Sequence, residues 1–286
     1  MRLLTALGAL VVLPALAVGQ DCNPPKSSNE AKIFAIRGTS LAFSPLEAPA
    51  RKRTGAIGLT LEGTYLPDID SAKRVPSVCR PGKPAENTNL LFGFVRPRLM
   101  LHSSEGFFLE VSWVPPIRVN GVKANLFAIA GGRTVMLGAA SMLRARAYWT
   151  GGTIRAPFIC PDYALNDPAY TCGGGSISDD SYKPNALGGD LSIGWPFHRV
   201  QPYLGVGVNF LRPRFQVNHT DSLNFTDNTK VSVNLTRFAA MGGVTFELSP
   251  IFRLGGEVYS QPADVVTGRV FLSYMIRSGA SGRRNR

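Results

Sequence analysis

Beyond its N-terminal stretch the sequence holds no apolar run of about 18 residues, which excludes α-helical membrane spans. Histidine is scarce. His102, His198 and His219 are far apart, with no cysteine or carboxylate at metal-ligand spacing, so a metal centre is not expected. The acidic loop residues Asp162, Asp167, Asp179 and Asp180 match no calcium loop. No glycine-rich turn opens a helix, so nucleotide-cradling motifs are absent and no cofactor is implied. Negative charge is also in short supply: 19 Asp and Glu stand against 31 Lys and Arg, a formal charge of +12. Such basicity suits anionic partners, yet the cations are dispersed and end in Arg283-Arg284-Asn285-Arg286, without the basic and aromatic clustering of a nucleic-acid platform. Nucleic acid is not an expected partner.

Arg2, an apolar stretch over 3–13, Pro14 and the small residues Ala15, Ala17 and Gly19 have the layout of a secretory signal peptide. Cleavage is expected near Gly19 or Gln20, so 1–19 leaves the mature chain. Val18-Gly19-Gln20-Asp21 is the wrong approach to a lipidated cysteine, so Cys22 is not a lipoprotein anchor. Export permits disulfides, and the four cysteines Cys22, Cys79, Cys160 and Cys172 admit three connectivities. Cys160 and Cys172 share one Gly-rich polar segment and form the easy pair, which leaves Cys22 and Cys79 to join across a long stretch.

From residue 54 the pattern has period two, broken by Gly, Pro and Asn. Strands are predicted over 54–66, 89–101, 106–114, 122–130, 133–149, 185–195, 201–212, 231–248, 251–260 and 265–276. Several are about 10 residues, the length a tilted membrane strand requires. The connections alternate: 67–88 is long, 102–105 short, 115–121 intermediate, Gly131-Gly132 minimal, 150–184 very long, 196–200 short, 213–230 long and Ser249-Pro250 minimal. Only 261–264 departs from the trend. Short turns on one rim and long loops on the other predict an all-β fold, a closed antiparallel transmembrane β-barrel of about ten strands (8–12) with both termini on the turn side.

Side-chain parity agrees. Leu204, Val206, Val208 and Phe210 share one face of their strand, and Val270, Leu272, Tyr274 and Ile276 share one face of the last. On the same faces Tyr65, Trp113, Trp149 and Phe210 fall toward the loop rim, and Phe107, Trp195 and Phe252 toward the turn rim, as two aromatic belts would. The opposite face places Glu62, Arg96, Arg98, Glu110, Arg144, Arg146, Asp190, Arg253, Glu257 and Arg269 inside, where an ionic network is expected in place of an open channel. Residues 20–53 precede the barrel as a periplasmic segment or a plug. A bond between Cys22 and an outer-loop Cys79 requires that segment to thread the lumen. Residues 278–286 form a basic tail.

On these features 54–276 resembles the small outer-membrane β-barrel superfamily of porin-like and transporter-like proteins. The terminal Gly268, Leu272, Tyr274 and Ile276 resemble the signal recognised by the barrel-insertion machinery, although the chain continues to Arg286. The resemblance implies a Gram-negative outer-membrane location, with membrane lipid, lipopolysaccharide and that machinery as partners. It implies a non-enzymatic barrel, narrow or plugged, that binds or passes a small solute. Two alternatives remain open. One is a surface interaction or adhesion protein anchored by the barrel. The other rests on Asp68 and Asp70 above the first strand and His219 with Asp221 in an outer loop, which resemble the acidic pair and Asp/His pair of the omptin surface proteases with the second pair reversed. His219 with Ser222 similarly mimics a lipid deacylase pair. If the chain is a barrel, the detergent-extracted protein should migrate faster on a gel before boiling than after it; identical migration would remove the barrel.

Overall fold

In the computed structural model the period-two segments become ten long strands. These are β1 (Ile57–Tyr65), β2 (Gly93–His102), β3 (Phe107–Val114), β4 (Val122–Leu137), β5 (Ser141–Ala156), β6 (Ala186–Gly194), β7 (Val200–Leu211), β8 (Leu235–Glu247), β9 (Phe252–Gln261) and β10 (Val265–Ile276). The structure describes residues 20–50, 56–103, 105–138, 140–167, 172–221 and 225–276; the expected signal peptide, the basic tail and Ser222 lie outside them. Each strand pairs antiparallel with the next, and β10 closes the ring on β1, with Ile276 opposite Ile57 and Arg269 opposite Thr64. A closed sheet leaves no unpaired barrel edge, the condition for a sheet to cross hydrocarbon. No helix among the described residues is long and apolar enough to do so.

The alternation has the inverted sense of a membrane barrel. Val206, Phe238 and Val270 on the outer face are 62%, 79% and 63% exposed, whereas Tyr203, Arg269 and Ser273 on the inner face are buried. Tyr65, Trp113, Trp149 and Phe210 are exposed near the loop rim; Phe107 and Phe252 are exposed, and Trp195 half-buried, near the turn rim. Phe127 and Trp149 touch across β4 and β5 with centroids 6.2 Å apart.

One predicted turn is wrong. Gly131 and Gly132 lie in mid-strand, opposite Ala147 and Arg146, and the β4–β5 hairpin turns later, around Gly138. Glycine serves close approach here, since a Cβ on Gly132 would collide with the Ala145 carbonyl and the Phe108 ring. β4 and β5 thus run 16 residues each, longer at the turn rim through the displaced hairpin, and at the loop rim their residues 122–125 and 151–156 rise past the ends of β3 and β6. On that extension the loops build a small cap. Asp180–Lys183 pairs with β5, Arg214–Gln216 with Asp180–Lys183, and Lys230–Ser232 with Arg214–Gln216.

The placement of the N-terminal end is the second correction. Asp21–Cys22 pairs parallel with Lys230 and Val231 in the cap, so residue 20 lies at the loop rim, whereas Ile276 ends at the turn rim. Within the lumen the chain forms helix α1 (Asn29–Leu41) and an irregular run over 42–50, and at the turn rim the Ala56 carbonyl accepts from His102 N. Residues 38–49 are all buried.

A helix that ends buried leaves its last carbonyls in need of partners. α1 has no basic residue in its own last turn, and the wall supplies the missing cations. Arg269 donates to the Thr39 carbonyl at 3.1 Å and Arg96 to the Ala42 carbonyl at 3.3 Å. Further down, Arg98 and Arg146 reach the Ser44 carbonyl at 2.8 and 3.0 Å, Arg144 reaches that of Glu47 at 2.5 Å, and Arg146 also binds the Phe43 carbonyl. The Phe43 ring lies under the guanidinium groups of Arg98, Arg96 and Arg146, at 4.1, 5.0 and 5.6 Å.

Glu62 anchors the wall side of this arrangement, taking Arg96 at 2.8 Å and Arg98 at 2.5 Å. Removing one member of a buried ionic group strands the others at about 3–5 kcal/mol. Glu62→Ala should lower unfolding stability by that order in a urea titration of the detergent-solubilised protein; a loss under 1 kcal/mol would show that the arginines are held by the plug alone.

Candidate functional site

The sequence-predicted lumen residues converge. Glu62, Arg96, Arg98, Glu110, Arg144, Arg146, Asp190, Glu257 and Arg269 are buried on the inner face, and Arg253 is partly buried near the turn rim. Arg146 bridges Glu110 and Asp190 at 3.2 and 3.0 Å, Arg98 reaches Glu110 at 3.5 Å, and Arg269 reaches Glu257 at 3.5 Å. Sequence reasoning did not include Glu47, a carboxylate of the plug itself, which takes Ser273 at 2.6 Å and lies 3.7 Å from Arg253. These groups are committed to one another and to the threaded chain, so the chemistry they show is internal ion pairing.

Space for another molecule lies higher, between α1 and the loop cap. A cavity of about 100 Å³ is bounded by Ile33 and Phe34 of α1, Leu66 and Leu91 of the first long loop, and Phe158, Tyr182 and Phe215 of the cap. Phe34 and Tyr182 stack with centroids 5.8 Å apart. The lining is apolar except for a few groups, two of which have no hydrogen-bond partner: the buried Tyr182 hydroxyl and Thr88 Oγ1. Arg37 also borders the cavity, with its guanidinium held by the carbonyls of Pro67 and Thr88 and by Asn89 Oδ1, at 3.0, 2.8 and 2.8 Å.

The roof is pinned at several points. Cys22–Cys79 ties the plug to the first long loop, and Cys160–Cys172 closes the second. Glu30 accepts from the amides of Ser77, Val78 and Cys79 at 3.0, 2.8 and 2.9 Å. Asp180 accepts from the amides of Ile159 and Asn218, both at 2.8 Å, and from Ser178 Oγ at 2.7 Å. Burial raises the Glu30 carboxyl, but those amides outweigh it and hold the group below the usual range. Asp180 goes the other way, pushed by burial up to about 6 against its amide donors. Glu86, on the cavity wall, is pushed by burial up to about 7, only partly offset by Arg80 at 3.4 Å.

Several of the remaining candidates have structural employment. Asp70 caps the short helix α2 (Ser71–Arg74) through Ala72 N at 2.8 Å, Asp68 is exposed, and Asp221 Oδ1 accepts from Phe225 N at 2.8 Å. His219 is buried beside the Cys160–Cys172 disulfide. His102 ends β2, and His198 lies in the β6–β7 turn with φ 51°. Asp162 opens a 3-10 turn, Asp167 closes it, and Asp179 pairs with Arg155 at 2.8 Å on the surface. The cavity residues Thr88, Glu86 and Tyr182 were missed, because loop sequences carry no period that says which side chains meet. Ile33, Phe34, Arg37 and Leu41 did carry a signal, since their spacing puts them on one side of a helix.

Fold and site together define an outer-membrane-type β-barrel protein with a plugged lumen. No protein-family model matches the chain, and no curated protein matches its sequence. Among solved structures it is similar to neisserial surface protein A, at 12% identity and TM-score 0.32 over 78% of this chain and 99% of that one. The translocator domain of autotransporter NalP from Neisseria meningitidis aligns at 9% identity and TM-score 0.44, over 87% and 96%. The KdgM porin aligns at 11% and 0.32, over 78% and 99%. At these scores the likenesses carry no argument about this chain, and the assignment rests on its closed ladder and inverted polarity.

The raised carboxyls set a pH dependence. A carboxyl held above its unfolded value stabilises the fold fully below that value and loses the contribution as pH rises through the folded one. For Glu86 the loss is expected as pH climbs to and through about 7. Hydrogen exchange of the amides around 80–90 should accelerate from pH 6 to 8 beyond the intrinsic chemical rate, and Glu86→Gln should abolish the excess. An unchanged excess in that variant would assign it elsewhere.

Proposed function

We propose that this chain is an exported, non-conducting outer-membrane protein that binds a small, mainly apolar molecule carrying one polar group in the cavity beneath its loop cap, without catalysis. One observation carries the reading: an apolar cavity whose wall holds two hydroxyls, of Tyr182 and Thr88, with no hydrogen-bond partner. Buried polar groups in native proteins are nearly always satisfied, and an apolar pocket with a few convergent polar groups is the usual form of a ligand site. The size suits a single ring or a short aliphatic chain, being somewhat under the roughly 150 Å³ of an engineered cavity that takes benzene. The filled lumen speaks against bulk passage, and the structural duties of Asp70 and Asp221 speak against the protease alternative. Export through the 1–19 leader into a Gram-negative envelope belongs to the same reading.

Phenol is a suitable test molecule, offering a ring of the right size and one hydroxyl. Calorimetric titration should show saturable binding to the disulfide-intact chain, abolished by Ile33→Trp, which fills the cavity. Tyr182→Phe should weaken it by about 2- to 10-fold, the worth of one hydrogen bond. Planar bilayers should show no conductance. Steady ionic current through the oxidised protein, or phenol binding indifferent to Ile33→Trp, would overturn the proposal.

A further inference from the structure

The cap strands have two faces of opposite character. Val122, Ile154, Tyr182, Phe215 and Val231 point inward and line the cavity. Their sequence neighbours Lys123, Arg155, Lys183, Arg214 and Lys230 point outward, and all five are exposed. Register makes these cations a ladder. Arg118 is opposite Lys123, Lys123 opposite Arg155, and Lys183 opposite Arg214. Lys230 is opposite Gln216, two residues beyond Arg214 on the same face.

Like charges directly opposite each other destabilise a sheet, and here the arrangement recurs along consecutive strands. Arg155 has an acidic neighbour, Asp179 at 2.8 Å, in an exposed pair that contributes little. A row of exposed cations held against its own repulsion has the form of an anion-binding surface.

Its height on the barrel says which anion. On β4 the outward residues below Lys123 are Asn125, Phe127 and Ile129, so one strand face passes from lipid-facing to cationic in a few residues. Asn125 accepts from Trp113 Nε1 at 3.0 Å, and Phe127 touches Trp149, which places both at the aromatic belt. Lys123 lies four residues beyond Phe127, which at a rise of about 3.3 Å per residue and a tilt of about 40° is about 10 Å higher along the barrel axis. That is the level of lipid headgroups just outside the hydrocarbon.

We propose that the outward face of the cap, through Arg118, Lys123, Arg155, Lys183 and Arg214, binds the phosphates of phosphorylated lipid in the leaflet at the loop rim. The lipid neutralises the ladder and presses the cap down over the cavity. This site is separate from the cavity and does not depend on any ligand within it.

The test uses the full, disulfide-intact chain in neutral detergent, titrated with diphosphorylated lipid A or with its phosphate-free counterpart. Lipid A should raise the unfolding midpoint by about 5 °C, and 0.5 M salt should cut that gain by at least half. The variant K123Q/K183Q/R214Q should keep the fast-migrating gel form and lose most of the gain. If the triple variant does not attain that form, Lys123→Gln and Lys183→Gln are measured singly, each expected to lose about a fifth of the gain by equal shares among the five contacts. Equal gains from the phosphate-free lipid, or an undiminished gain in the variants, would overturn the proposal. So would sucrose octasulfate, a soluble polyanion, giving the same gain as lipid A, which would mark the ladder as a surface for soluble glycan.

Discussion

The barrel depends on one interaction, that between arginines of its wall and the backbone carbonyls of the chain threaded through it. A carbonyl removed from water needs a donor, and a guanidinium removed from water needs acceptors. The run from Thr39 to Glu47 and the group Arg96, Arg98, Arg144, Arg146 and Arg269 meet both needs together. Each half supplies the partners that the other lacks. An empty lumen would leave cations in excess of Glu62, Glu110, Asp190 and Glu257, and an unwalled plug would be a short helix with an unsatisfied end.

This explains a feature of composition that charge counting alone misreads. Excess arginine inside a barrel suggests preference for anions, and the anionic character it meets here is mostly that of peptide oxygens. Planar guanidinium groups suit the task, since one can bond a carbonyl, bond a carboxylate and cover an aromatic face at once, as Arg96 does with Ala42, Glu62 and Phe43. Lysine offers no such plane.

The ten strands were legible because membrane crossing forces a strict alternation, and Arg96, Arg98, Glu110 and Arg269 fell on the inner face by parity alone. The error at the β4–β5 hairpin had a physical cause: a glycine pair signals either a turn or a close approach, and at Gly131-Gly132 the surrounding pattern reads the same for both. The lumen path of 20–50 was hinted at by the spacing of Cys22 and Cys79, while the run from Ala42 to Pro49 has no period to read. The cavity was the least legible part. Tyr182, Thr88 and Ile33 are separated by long stretches of chain and meet only once the loops have folded over the helix.

The direction of threading constrains assembly. The segment runs from loop rim to turn rim and is then continuous with the first staves of the wall, so a finished ring would have to admit a helix and several bulky side chains past the arginines that grip them. The ring is better formed around its contents, the segment acting as a mandrel on which β10 is drawn round to meet β1. Closure and filling are then a single event, and a chain lacking the mandrel would be expected to stall as an open, curling sheet.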